Sequence, residues 1–150
     1  MPIVNHLQQH KLLLDTHIWI WLIEGDSRLS QELCHAIDRC QNRDGILISA
    51  ISIWEVGMLV QKKKISIETD CLDWIQMALG QPGVSLVPIS PRIAVQSTRL
   101  PGELHADPAD RILVATAYEE NATLVTCDEK LIHYGHNYLV SVHDPRRNVK

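Results

Sequence analysis

Short apolar runs alternate along this chain with longer stretches of helical period, and that alternation leaves few folds open. Lys11–Leu14, Ile46–Ser49, Val84–Ile89, Thr123–Thr126 and Leu139–Val142 have the length and composition of buried strands. Between them the apolar positions recur at helical spacing. Thr16–Ile23 is predicted to be a helix that stops near Gly25, and Ser30 caps a second with Leu33, Ala36, Ile37 and Cys40 on one face. Ile51–Gln61 forms a third. Asp70 opens a fourth with Leu72, Ile75, Ala78 and Leu79 inward, closed by Gly80-Gln81-Pro82-Gly83. Ile93–Arg99 and Pro108–Glu120 complete the set. Strands and helices in this order predict an α/β fold with a mainly parallel central sheet. Ligands of such sheets bind outside the carboxyl ends of the strands.

The chain has 150 residues, enough for one domain that buries roughly 70% of its unfolded surface. No apolar stretch reaches the roughly 18–20 residues that span a bilayer, and no export signal opens the sequence. Cys34, Cys40, Cys71 and Cys127 are scattered without a C-x-x-C pair, so a reduced cytoplasmic chain is expected. His133 and His136 share a helix face, but zinc needs three or four convergent ligands. The net charge of −4 excludes a general nucleic-acid coat and leaves room for a local basic surface. Lys62-Lys63-Lys64 and Arg146-Arg147 are its clusters.

Four acids occupy positions that a folding chain ordinarily keeps apolar. Asp15 ends the run Leu12-Leu13-Leu14, and Asp128 follows Leu124-Val125-Thr126-Cys127. Glu55 lies four residues from Ile51 and Leu59 and three from Met58, along an apolar stripe. Asp110 shares a face with Leu113, Val114 and Ala117. Capping alone accounts for Asp15 or Asp128, and Asp107-Pro108 reads as an N-cap followed by proline at the first helical position. The inward Glu55 and Asp110 have no such explanation. Burying a carboxylate costs several kcal/mol unless it is paired. Together the acids predict one pocket at the sheet's carboxyl edge, held together by a cation.

The blocks Leu12-Leu13-Leu14-Asp15-Thr16-His17, Ser49-Ala50-Ile51-Ser52-Ile53-Trp54-Glu55, Asp107-Pro108-Ala109-Asp110-Arg111 and Leu124-Val125-Thr126-Cys127-Asp128 resemble a PIN domain. More narrowly they resemble the VapC-type ribonuclease toxins of type II toxin–antitoxin pairs. The resemblance covers roughly Lys11 to Val142 and implies a three-layer α/β/α sandwich. It assigns Asp15, Glu55, Asp110 and Asp128 to a catalytic site that binds magnesium or manganese. Thr16 and Thr126 fall at hydroxyl positions bordering the pocket. Cleavage of RNA to 5′-phosphate and 3′-hydroxyl ends, a VapB-like antitoxin partner and a homodimer are likewise implied. One departure is visible: residues 1–10 precede the first strand, as an N-terminal extension to a domain over 11–150.

An all-oxygen ligand set suits magnesium or manganese better than zinc. A cation there activates water and offsets charge growing on a phosphodiester. RNA must be single-stranded or splayed to reach a recessed pocket. Positive groups are expected around the opening. Arg111 is one candidate, with an ion pair to Asp107 as its alternative role; Lys62–Lys64 and Arg92 are others. Trp19, Trp21, Trp54 and Trp74 serve either core packing or a dimer interface. Rival enzymes fit poorly. A dehalogenase-like phosphatase needs an acid where His17 stands, and a response-regulator receiver needs one where Ala50 follows its strand. The non-enzymatic alternative is a catalytically idle PIN-fold binding module.

Overall fold

The computed structural model describes residues 11–104, 107–138 and 142–144. Five parallel strands, β1 (Leu12–Leu14), β2 (Ile46–Ser49), β3 (Val84–Val87), β4 (Thr123–Val125) and β5 (Val142–His143), form one sheet in the order β3-β2-β1-β4-β5. Helices α1 (Thr16–Glu24), α2 (Gln31–Gln41), α3 (Ala50–Gln61) and α4 (Cys71–Leu79) precede β3. Helices α5 (Pro91–Ser97), α6 (Pro108–Glu120) and α7 (Glu129–Tyr138) follow it.

Strands β1, β2 and β4 are buried on both faces, which is why they read as continuous apolar runs, whereas β3 exposes Ser85 and Leu86. Period-two alternation then sorts their side chains. Leu12, Leu14, Ile46, Ile48 and Val125 join a core with Trp19, Leu33, Ile37, Val56 and Trp74 of α1–α4. Leu13, Leu47 and Leu124 point the other way, to Ile93, Leu113, Val114 and Leu131 of α5–α7. Two helical layers therefore enclose the sheet, as the PIN-like sandwich requires. The chain winds outward from β1 to β3, returns, and adds β4 on the other side of β1. That reversal puts a topological switch between β1 and β4, the position at which open α/β sheets bind ligands.

The expected elements recur with shifts that have local causes. Pro88 cannot donate to a ladder, so β3 ends at Val87 instead of Ile89. Ser90 caps α5 by accepting from Ile93 N–H, with Pro91 in the first turn, so that helix starts two residues before the predicted Ile93. On α4, Leu72 is exposed instead of inward, because Trp74 turns the buried face toward itself. Its ring meets Trp19 edge to face at 5.3 Å, and its Nε1–H donates to Glu24 Oε1 at 3.0 Å. The predicted extension 1–10, most of the predicted last strand (139–141) and the Arg146-Arg147 cluster lie outside the described residues.

Candidate active site

Chain direction alone delivers four helix N-termini to the carboxyl edge of the sheet. Helices α1, α3 and α7 leave directly from the ends of β1, β2 and β4, and α6 starts at the same edge because it ends where β4 begins. Each N-terminus carries a partial positive charge, an environment that tolerates carboxylates. Asp15, Asp110 and Asp128 all lie in or beside these first turns, and Glu55 lies one turn into α3.

Asp15 is fixed twice. Its Oδ1 accepts the Thr16 N–H at 2.7 Å, and its Oδ2 accepts the Thr126 hydroxyl at 2.6 Å, which ties the end of β1 to the end of β4. Thr126 Oγ1 in turn accepts the Asp128 N–H at 3.0 Å. Its backbone continues the strand ladder, with Asp15 N–H donating to Val125 C=O at 3.0 Å. Asp128 caps α7, its Oδ1 accepting from the N–H groups of Lys130 and Leu131 at 2.8 and 3.2 Å.

Glu55 is held by a pair of hydroxyls that sequence reading missed in part. Thr16 Oγ1 lies 2.8 Å from Glu55 Oε1 and 3.0 Å from Ser52 Oγ, with Thr16 and Ser52 both fully buried. One hydroxyl proton cannot serve two acceptors. With Glu55 ionised, Thr16 donates to the carboxylate and Ser52 donates to Thr16. Thr16 was expected at the border of the pocket. Ser52 carries one sequence signal, its place three residues before Glu55 on the helix.

Burial and like charge raise three of these acids above ordinary carboxylates. Asp110 is pushed up to about 7, first by burial and then by the charges of Asp107, Asp15, Asp128 and Glu55. Glu55 is raised by burial and by Asp15 and Asp107, against the Thr16 hydrogen bond. Asp15 is raised by burial, which outweighs its bonds to Thr126 and Thr16 and the nearby His17. Asp107 caps α6 as expected, accepting the Ala109 N–H at 2.9 Å, and also joins this field. The four predicted acids therefore share one electrostatic neighbourhood. Among the described residues, no three His, Cys, Asp or Glu side chains stand drawn together as a ready cation cage. The donor chemistry nevertheless fits a hard divalent cation: every group is an oxygen and half-buried, and burial raises Asp15, Glu55 and Asp110. Binding one requires these side chains to close in.

The predicted rim cations are placed otherwise. Arg111 takes neither of its expected roles: its Nη1 and Nη2 donate to the carbonyls of Ser97 and Leu104, each at 3.1 Å, locking the end of α5 and the following loop onto α6. Lys62–Lys64 follow the far end of α3, about 10 Å along the helix from Glu55. Arg92 pairs with Glu119 near the far end of α6. A cavity of about 310 Å³ between α1, α2 and α4, lined by Trp19, Leu22, Ile37, Met77, Gln81 and Val84 among others, contains none of the four acids.

Comparison with known proteins agrees with this fold. The family model described as PIN domain matches residues 12–137. The chain is 34% identical over 131 residues to Ribonuclease VapC22 of Mycobacterium tuberculosis, covering 87% of this chain and 97% of that protein. A toxin–antitoxin complex from Klebsiella pneumoniae contains a chain with TM-score 0.61 and 26% identity, matched over 90% of this chain and 98% of that one. VapBC2 from Rickettsia felis, bound to a DNA fragment from its promoter, gives TM-score 0.65 at 18% identity over 88% and 96% of the two chains. This chain belongs to the PIN-domain family, within its VapC group.

Proposed function

We propose that the chain is a metal-dependent endoribonuclease, the toxin of a VapBC-type toxin–antitoxin pair, with Asp15, Glu55, Asp110 and Asp128 as its catalytic and metal-binding acids. One observation carries the reading: Asp110 lies within the field of Asp107, Asp15, Asp128 and Glu55, where burial and their charges push it up to about 7 and a cation would lower it. Magnesium or manganese, when bound, supplies that charge and the Lewis acidity that hydrolysis of a phosphodiester needs.

The chain's own residues do the rest. Thr126 and the Thr16 amide orient Asp15, Thr16 and Ser52 hold Glu55, and the N-terminus of α6 carries Asp110. The family membership and the toxin–antitoxin complexes among the structural relatives support an antitoxin partner for this chain as well. A homodimer is supported by exposed apolar groups on neighbouring elements: Trp54 of α3, Leu86 and Ile89 at the β3 edge, and Val95 of α5. None of the described helices is long and apolar enough to cross a membrane, and the cytoplasm is the proposed compartment.

The test is incubation of the purified chain with a mixed single-stranded oligoribonucleotide pool. Cleavage should require manganese or magnesium and stop with EDTA. Cleavage that survives complete chelation would overturn the metal reading. Absence of cleavage under every metal tried would favour the idle binding module.

A further inference from the structure

Along α1 runs a row of groups that the acidic centre does not use, in which Trp21 is half-buried against the core and His17 is exposed. His17 and Trp21 stand one turn apart, their rings edge to face with centroids 6.3 Å apart. The chain turns at Gly25, and Arg28 comes back over the Trp21 ring, with Cζ 4.6 Å from its centroid. Asp26 fixes that return. Its Oδ1 accepts the Arg28 N–H at 2.9 Å and pairs with Arg28 Nε at 3.2 Å. The two terminal nitrogens of the guanidinium make no hydrogen bond or ion pair among the described residues, and the side chain is 61% exposed.

The row begins at the acids. His17 is two residues beyond Asp15, close enough for its charge to act on that carboxyl. Four residues of helix advance roughly 6 Å, on the scale of one step along a splayed nucleic-acid strand. An acidic pocket repels RNA, so cations must stand beside it, yet Arg111 is committed to carbonyls, Lys62–Lys64 follow the far end of α3, and Arg92, in the first turn of α5, is paired with Glu119.

We propose that His17, Trp21 and Arg28 form a binding track for the nucleotides flanking the cut bond of a single-stranded RNA. A base stacks against the aromatic pair, and a phosphate oxygen meets the terminal nitrogens of Arg28. The Asp26 pair lowers the net charge of the track and holds the guanidinium in place for this contact. The proposal rests on the ribonuclease reading.

The test uses the full chain with manganese and two sets of oligoribonucleotides, short ones and ones lengthened on a single side of the cleaved bond. In the wild type, lengthening on the side that reaches α1 should raise kcat/KM about tenfold. Trp21→Ala and Arg28→Gln should each lose most of that gain, and Trp21→Phe should retain much of it. Affinity for the same RNAs, measured by anisotropy with Asp110→Asn as the common background, should fall in parallel. Melting temperatures accompany each variant; if Trp21→Ala is unfolded, Arg28→Gln decides the matter. Wild-type length dependence in Arg28→Gln, joined by Trp21→Ala where it folds, overturns the track and leaves the nuclease reading intact. A wild type that neither binds nor cuts any of these RNAs overturns both. Variants that bind RNA normally but lose a protein partner assign the row to that partner instead.

Discussion

Asp110 shows the conflict between stability and chemistry within a single side chain. Its carboxyl titrates near 7 in the fold against 3.8 in a free chain, so between about pH 4 and 7 the folded state binds more protons than the unfolded one. Stability without metal must therefore fall as pH rises through that window. Asp110→Asn removes the effect: the variant should melt higher than the wild type at pH 7.5 in EDTA, with a flatter pH profile, while RNA cleavage is lost. A variant that melts lower, or cuts at the wild-type rate, contradicts the placement of Asp110. Ser52 is a subtler case. Ser52→Ala leaves the Thr16–Glu55 bond in place but strips Thr16 of its incoming donor, a loss of about 1 kcal/mol. Cleavage should drop severalfold in Ser52→Ala and further in Thr16→Val, which loses the bond itself. Equal activity in the two variants would mean that the hydroxyl pair does not hold Glu55.

At the scale of elements, what could be read from sequence was whatever depends on a residue's own neighbours. Ser30, Asp70 and Asp107 cap their helices as their positions predict, because a cap needs only the next turn of the same chain. The inward face of Glu55 and Asp110 was legible for the same reason, since helical period fixes which neighbours share a face. The path of Arg111 was not, because its partners are the backbone carbonyls of Ser97 and Leu104, which only the folded loop presents. Nor was the rotation of α4 onto Trp74, which Trp19 of another helix decides. Gly83 belongs with these long-range cases. It has φ +74, and a Cβ there would lie 2.2 Å from the Gln41 carbonyl oxygen at the end of α2, so the start of β3 packs directly on backbone. Gly83→Ala combines an unfavourable left-handed residue with a backbone clash. It should cost about 3 kcal/mol or more, read by chemical denaturation. A loss below about 1 kcal/mol would show that the contact yields.

The whole molecule explains why acids from distant parts of the chain can converge at all. Asp15 and Glu55 belong to the outward half of the winding, Asp110 and Asp128 to the returning half, and only the reversal between β1 and β4 brings the halves together. The site is thus a seam between the two halves of the winding, stitched across by Thr126 to Asp15 and braced within the outward half by Thr16 to Glu55. A seam of like charges should be the least stable part of the fold until a cation fills it. Magnesium should therefore raise the melting temperature of the wild type, since a ligand bound only by the folded state stabilises it by mass action. The shift should grow with concentration and saturate, and it should be larger at pH 8 than at pH 6, where Asp110 is mostly protonated and competes with the metal. Asp15→Ala/Asp110→Ala, with two carboxylates removed from opposite halves, should melt higher than the wild type in EDTA and respond little to magnesium. Equal magnesium shifts in the wild type and the double variant would mean that the ion binds elsewhere, and the acids at the switch point would then need another explanation.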